Sequence, residues 1–498
     1  MVTAPRLRSD SAAGRWVVAT TVLGSAVAML TATVVNVALP AMADGLDADA
    51  AALQWIVNGY LLTLASLILV GGALGDRYGR RRVYRIGVAW FAVASLLCAV
   101  APSAELLVVA RVLQGVGGAL LTPGSLAIIE ASFHPDDRSR AIGAWSGLGG
   151  IAGAVGPLVG GLLVDVVSWR AVFLINVPVA LAVVVLAGRF VPESRDGAAN
   201  GPPDIVGALT GAVALGGVTY ALIEGSSGGA GGPVVAALAA AVLAAAAFVV
   251  TERRVAAPML PRGIFADRQF GAANLVTFVV YGALGGAFFL VSIHLQVSLG
   301  YSPLAAGAAQ LPITLLMLVL SSRAGALAHR IGPRRPLTFG PATIAAGLAL
   351  YATVGAGDRY LTGVLPAVVV FGLGLSLTVA PVTSTALAAA DEDHAGAASG
   401  VNNAVARAAQ LLAVAALPAL AGLTGDRLNE ADGLADGFPV AMRIAAGCAL
   451  AGGAIAWLFI RDDVLTEREL DSDEPEQHEP DFCCPIDGPV HTGVHHHE

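Results

Sequence analysis

Apolar residues run through this chain in long stretches, not with the spacing of surface helices or half-buried strands. Between Arg15 and Ile460, runs of about twenty apolar residues recur, broken by Gly, Pro and clusters of charge; at ~1.5 Å rise per residue, a helix of that length crosses a bilayer. Cutting at those breaks gives fourteen expected spans: 15–39, 53–74, 83–101, 105–129, 140–164, 171–190, 205–223, 233–251, 270–293, 303–328, 335–355, 361–387, 397–423 and 438–460. The expected fold class is an all-α polytopic membrane protein, with the lipid bilayer as its surroundings.

The arginines orient the spans, because cytoplasmic loops retain positive charge. The N-terminus carries Arg6, Arg8 and Arg15. Alternate loops hold Arg77 to Arg85, then Arg138 and Arg140, Arg189 and Arg195, Arg253 to Arg268, and Arg330 to Arg335, against only Arg170, Arg359 and Arg427 on the other side. An even span number then puts both termini in the cytoplasm. The acidic loop 391–394 (DEDH) is a departure from the rule.

The chain also repeats itself. GALGDRYGRR (72–81), leaving span 2, returns as GALAHRIGPR (325–334), leaving span 10, with six of ten positions identical. Both copies exit on the same side, as parallel repeats about an axis along the membrane normal would. They stand eight spans apart instead of six, so two helices are inserted between the halves, and the Gly/Ser-rich loop 225–232 joins the expected pair. The expected division is a cytoplasmic segment 1–14, a six-helix half 15–190, a linker with two extra helices 191–269, a second half 270–460, and an acidic tail 461–498.

Composition narrows the function classes. Of 498 residues, 56% are hydrophobic and 13% charged, against roughly 25% charged in soluble domains. Every one of the 28 basic residues is Arg, which removes a Walker A lysine, a Schiff-base lysine and a kinase lysine, so an enzyme of those kinds is excluded. The tail carries twelve acidic residues and two arginines; setting its −10 aside leaves residues 1–460 at +2 in a chain of net −8. No nucleic-acid partner is expected. Four cysteines, two in apolar runs and two adjacent at Cys483 and Cys484, form no disulfide framework. The tail's Cys and His residues fit no structural metal spacing, and its charge and low hydrophobicity predict disorder, so no metal and no cofactor are expected. The first apolar run is long enough to span and lacks a small-residue cleavage site, so no cleavable signal peptide is expected.

Candidate chemistry lies inside the spans. In ARVLQGVGG (110–118) Arg111 stands at membrane depth, followed by Gln114. A charge there costs at least a few kcal/mol and calls for a cavity or a partner; snorkelling towards Glu105 is the other reading. Span 5 reads GAWSGLGGIAGAVGPLVGG (143–161), where Gly156 and Pro157 mark a bend and close packing. SGVNNAVARAAQ (399–410) sets Asn402, Asn403, Arg407 and Gln410 in an otherwise apolar helix, with Arg407 about 15 Å in, beyond the reach of snorkelling. Span 12 offers the hydroxyls Ser376, Thr378, Thr383 and Ser384.

These motifs, over residues 15–460, resemble the major facilitator superfamily, specifically its fourteen-helix drug:proton antiporter branch. The cytoplasmic signature falls on Gly72, Leu74, Asp76, Arg77, Gly79, Arg80 and Arg81; the second copy has His329 in place of the Asp, followed by Arg330. A carboxylate and guanidiniums at a helix end can clamp neighbouring termini in one conformation and release them in another, while a topology-setting basic loop is the plainer reading. Gly156, Pro157, Gly160 and Gly161 match the antiporter signature, with Ala152 replacing a glycine. The stretch ending TVVNVALP, which includes Asn36, matches span 1, but Thr31 stands where the family has Asp.

The resemblance implies a major facilitator fold of two six-helix halves plus two inserted helices. It also implies secondary-active export of small amphipathic or hydrophobic compounds by alternating access, driven by protons, from the cell membrane. The cavity residues implied are Thr31, Asn36, Arg111, Gln114, Ser376, Thr378, Asn402, Asn403 and Arg407. The gate is implied at Asp76, Arg77, Gly79, Arg80, Arg81, Gly156, Pro157, His329 and Arg330. No Asp or Glu lies near a span midpoint, so the usual coupling carboxylate has no counterpart; His294 and Gln296 at the end of span 9 are substitutes or interfacial residues. A facilitator of an endogenous metabolite or lipid, an anion-coupled transporter, and a non-transporting receptor or scaffold are the alternatives.

Overall fold

The computed structural model describes residues 7–195, 204–229, 231–255, 258, 260, 263–265, 267–390 and 395–465. Residues 466–498, which make up most of the acidic tail, and the DEDH loop lie outside this range. The described chain is helical: α1 Ala12–Leu46, α2 Ala50–Tyr78, α3 Arg80–Val100, α4 Ala104–Ser132, α5 Pro135–Val166, α6 Ala171–Leu174, α7 Asn176–Phe190, α8 Ile205–Gly228, α9 Gly232–Arg254, α10 Arg268–Val297, α11 Pro303–Ala309, α12 Leu311–Ile331, α13 Arg334–Tyr351, α14 Leu365–Ala388, α15 Ala395–Leu420 and α16 Ala431–Phe459. Every expected span overlaps one of these helices or a broken pair of them. Among the described residues, twelve helical stretches are long and apolar enough to cross a membrane. The other two expected spans fall on α13, which has 18 residues and opens on two arginines, and on α5, whose apolar part is Ile151–Val166.

Polar residues at the breaks fix where helices begin. Ser11, Asp49, Ser103 and Asp204 each accept a hydrogen bond from the backbone N–H three residues on, satisfying a donor that the first turn leaves free. Gly79, at φ 111°, turns the chain from α2 into α3, and Gly332, at φ 82°, does the same between α12 and α13. A side chain at either position would strain the backbone.

Helices α1–α7 pack on one another, as do α10–α16, and the two groups meet where α2 faces α15, α5 faces α11 and α1 faces α10. The inserted helices α8 and α9 pair with each other, and α8 rests on both α2 and α15. Their apolar stretches are only 17% and 11% buried, so they lie at the periphery and present their surface to lipid.

The contacts between the two groups differ along their length. At the end away from the arginine-rich loops, Asp165 of α5 accepts from the Ser302 hydroxyl (2.9 Å) and the Leu304 N–H (3.0 Å), Gln296 of α10 donates to the Val37 carbonyl of α1 (3.0 Å), and Asn429 donates to the Ala48 carbonyl (3.3 Å). Gly161 and Gly307 let the backbones touch there: a Cβ on Gly161 would run into the Pro303 carbonyl, and one on Gly307 into the Pro157 carbonyl. Nearer the arginine-rich end, Leu69 of α2 packs on Gly400 and on a small apolar cluster with Phe270, Ala398 and Val401.

Candidate functional site

Arg111 sits inside the first half. It is 1% exposed; its Nε donates to the Ile56 carbonyl of α2 (2.9 Å) and an Nη to Gln114 Oε1 (2.5 Å), and Gln114 Nε2 donates to Ser95 Oγ of α3 (2.7 Å). The guanidinium lies over the Tyr60 ring at 4.5 Å and nears Phe173 at 5.9 Å, contacts that favour a desolvated cation. Its partners therefore come from α2, α3, α4 and α6. Thr31 is not among them: its hydroxyl turns back to the Val27 carbonyl (2.8 Å) and the residue is 1% exposed. Asn36 Oδ1 is buried without a hydrogen-bond partner.

Arg407 stands differently. Asn402 and Ala409 mark the face of α15 that meets α10, where Asn402 donates to Asn274 Oδ1 (3.2 Å) and Thr277 Oγ1 (2.9 Å) and Ala409 meets Gly282. Gly400 marks the face that meets Leu69 of α2. At about 100° per residue, Asn403, Arg407 and Gln410 fall between these two faces, towards the seam of the halves. Asn403 is exposed there and Arg407 half-buried. The Arg407 guanidinium donates to Gln410 Oε1 (3.1 Å), and its charge acts on Tyr60 of α2 and Tyr281 of α10, the latter hydrogen-bonded with Thr383 of α14. Ser376 and Thr378 are fully buried and donate to their own helix, at Gly372 (2.8 Å) and Gly374 (2.7 Å); Thr378 also abuts Gly340 of α13.

The basic loops form two related clusters. In the first, Asp76 accepts from Arg80 Nε (2.8 Å), Arg80 reaches the Ala127 carbonyl of α4 (3.3 Å), and Arg77 lies over Tyr78 at 5.5 Å. Glu193, three residues beyond the end of α7, packs against Gly79, accepts from the Arg81 N–H (3.0 Å) and pairs with its guanidinium (3.6 Å), while Arg81 also donates to the Val191 carbonyl (3.2 Å). In the second, Asp462, three residues beyond the end of α16, packs against Gly332, and Arg334 donates to the Trp457 carbonyl (2.7 Å) while stacking at 4.2 Å on its ring. His329 and Arg330 end α12 and are exposed. The sequence reading found both glycines but neither carboxylate. The signal was present as Phe190-Val-Pro-Glu193 and Phe459-Ile-Arg-Asp462, the same spacing at the end of each half.

Two further buried polar residues are Asn58, absent from the candidate residues, and His294, expected as a coupling substitute or an interfacial residue. Asn58 of α2 is fully buried, and neither atom of its amide has a hydrogen-bond partner. It lies eleven residues, about three turns, before Leu69 and so on the same α15-facing side. His294 is buried, stacked on Phe438 at 3.8 Å, and its Nε2 is 3.0 Å from the Val354 carbonyl, which makes it a packed member of the second half.

The fold has counterparts among solved transporters. A POT family transporter in complex with 5-aminolevulinic acid superposes with a TM-score of 0.66 at 12% identity, over 92% of this chain and 99% of that one. A bacterial homologue of the human lysosomal transporter Spinster, in an inward-facing and unoccupied conformation, gives 0.64 at 17% identity over 92% and 99%. At the level of sequence, the chain is 36% identical to the puromycin resistance protein of Streptomyces alboniger over 87% of its own length and 88% of that protein. It is 35% identical to the methylenomycin A resistance protein of Bacillus subtilis over 91% and 96%, and 36% identical to a multidrug efflux pump of Mycolicibacterium smegmatis over 74% and 73%. The model of the Major Facilitator Superfamily matches residues 21–414, and the chain belongs to that superfamily as a multi-pass membrane protein.

Proposed function

We propose that this protein exports small amphipathic or hydrophobic compounds, antibiotics among them, across the cell membrane by alternating access, with both termini in the cytoplasm and protons as the driving ion. The observation that carries the reading is the uneven seam. Cross-half hydrogen bonds tie the end opposite the arginines, whereas nearer the arginines the halves meet by apolar packing of Leu69 on Gly400, and the half-buried Arg407 falls between the faces of α15 that meet α10 and α2. A closed end and a central polar group are what a transporter holds in one of its two states. The names of the relatives supply the cargo class. The chain divides accordingly into halves 15–190 and 270–460 around the linker 191–269. Asp76, Arg80, Arg81 and Gly79 would act as the cytoplasmic clamp, and Gly156 with Pro157 as the bend that lets α5 close on α11.

Everted vesicles carrying the protein should accumulate at least one compound from a panel of amphipathic acids, neutral compounds and cations when a pH gradient is imposed, and lose that accumulation when the gradient is collapsed. Failure to move any compound from a broad panel would reject export. One observation favours a second reading: the described span interiors hold no carboxylate to carry the proton. A uniporter would show substrate counterflow indifferent to the pH gradient.

A further inference from the structure

The charge balance of the seam says what kind of compound it holds. Arg407 lies near the midpoint of α15, with twelve residues before it and thirteen after. Its one hydrogen bond goes to a neutral amide, and among the described residues no carboxylate pairs with it. The other polar residues on this stretch of its own helix are Gln410 and the exposed Asn403, neither of which carries a charge. On the same seam, the Asn58 amide is buried with both its donor and its acceptor unused.

A guanidinium held at membrane depth with only neutral company is costly, and so is a buried amide without partners. Both costs fall if an anion enters. A carboxylate accepts two parallel N–H bonds from one guanidinium, a geometry that matches Arg better than any other side chain. The apolar faces of α2 and α10 that meet α15, marked by Leu69 and Gly282, flank that position. A cationic compound would instead meet a guanidinium that has no counter-charge among the described residues.

We propose that the seam around Arg407 is a carboxylate-recognition site, and that the preferred cargo is an amphipathic acid. This rests on the export reading, yet it can fail separately. The test is equilibrium binding of radiolabelled anthraquinone-2-carboxylate and its methyl ester to the purified full-length protein, with ethidium as the cationic comparison, alongside transport of all three in vesicles. Wild-type protein should bind the acid about tenfold more tightly than the ester, and ethidium least. Arg407→Gln should bring the acid-to-ester ratio to about one; Arg407→Lys, which keeps the charge but loses the planar fork, should leave an intermediate ratio. Each variant is compared only if its gel-filtration profile matches the wild type, and the Lys form carries the test if the Gln form does not fold. An acid-to-ester ratio near one in wild type, a ratio unchanged by the tested Arg407 variant, or preference for ethidium would overturn the inference. If no probe is transported, export falls, while the binding ratio still decides the chemistry of the site.

Discussion

The contact between Gly307 and Pro157 makes a prediction about the transport cycle. Gly307 of α11 lies so close to α5 that a Cβ would meet the Pro157 carbonyl and stand 3.1 Å from the Leu158 nitrogen, neither of which can rotate away. Gly307→Ala therefore penalises only the state in which that end is closed. Overpacking of this kind costs about 1–3 kcal/mol, which amounts to a roughly 5- to 150-fold shift in the balance of two conformations. Spin labels on cysteines replacing Val166 and Tyr301, at the same end of the two halves, would report it in protein whose own cysteines have been substituted. The distance distribution should gain a longer component in Gly307→Ala, and in Gly161→Ala for the same reason, and export should slow because the cycle stalls open. Gly143→Ala is the control, since a Cβ there meets nothing within 4 Å. Unchanged distances in both latch variants, with correct insertion, would show that the contact does not depend on state, and the reasoning would be refuted.

Other consequences are simpler to state. Arg111→Ala removes the donor to the Ile56 carbonyl and to Gln114 Oε1, so the protein should lose about 1–3 kcal/mol of stability, read as a lower melting temperature in detergent, and Arg111→Lys should fall between. Loss of export at an unchanged melting temperature would contradict a supporting role within the half. Thr31→Asp places a carboxylate in span 1 where the superfamily branch has one, and transport should become more dependent on the pH gradient; an unaltered dependence would locate coupling elsewhere. Ser226→Cys should react with an impermeant maleimide in intact cells, and labelling only after permeabilisation would invert the topology.

How much of this could be read beforehand depends on what kind of information a residue carries. Span positions were legible because crossing a bilayer demands a length of apolar chain, and length is written directly in the sequence. The doubled loop was legible because a positive-φ turn admits little besides glycine, so Gly79 and Gly332 stayed in register. The direction of side chains was not. Ser376 and Thr378 look like cavity hydroxyls, but a hydroxyl in an apolar helix can bond to the carbonyl four residues back, and both do. Arg111 and Arg407 look alike as buried cations. Only packing separates the one enclosed by α2, α3 and α6 from the one facing the seam. Glu193 and Asp462 escaped because each lies more than a hundred residues from its loop, a separation that span counting does not bridge.

That difference between the two arginines bears on how cargo can drive the cycle. A ligand shifts an equilibrium only by the difference in its affinity for the two states. The hydrogen-bond and ring partners of Arg111 all belong to the first half, so a rigid rotation of one half against the other leaves its surroundings as they were. A ligand touching Arg111 alone would bind both states equally and move nothing. Arg407 travels with the second half, whereas Tyr60, on whose ring Arg111 rests, travels with the first. The meeting faces of α2 and α15 belong to different halves, so rotation changes the fit of anything held beside Arg407, and a compound bound there has the differential affinity that alternating access requires, while the enclosed Arg111 holds its own half together.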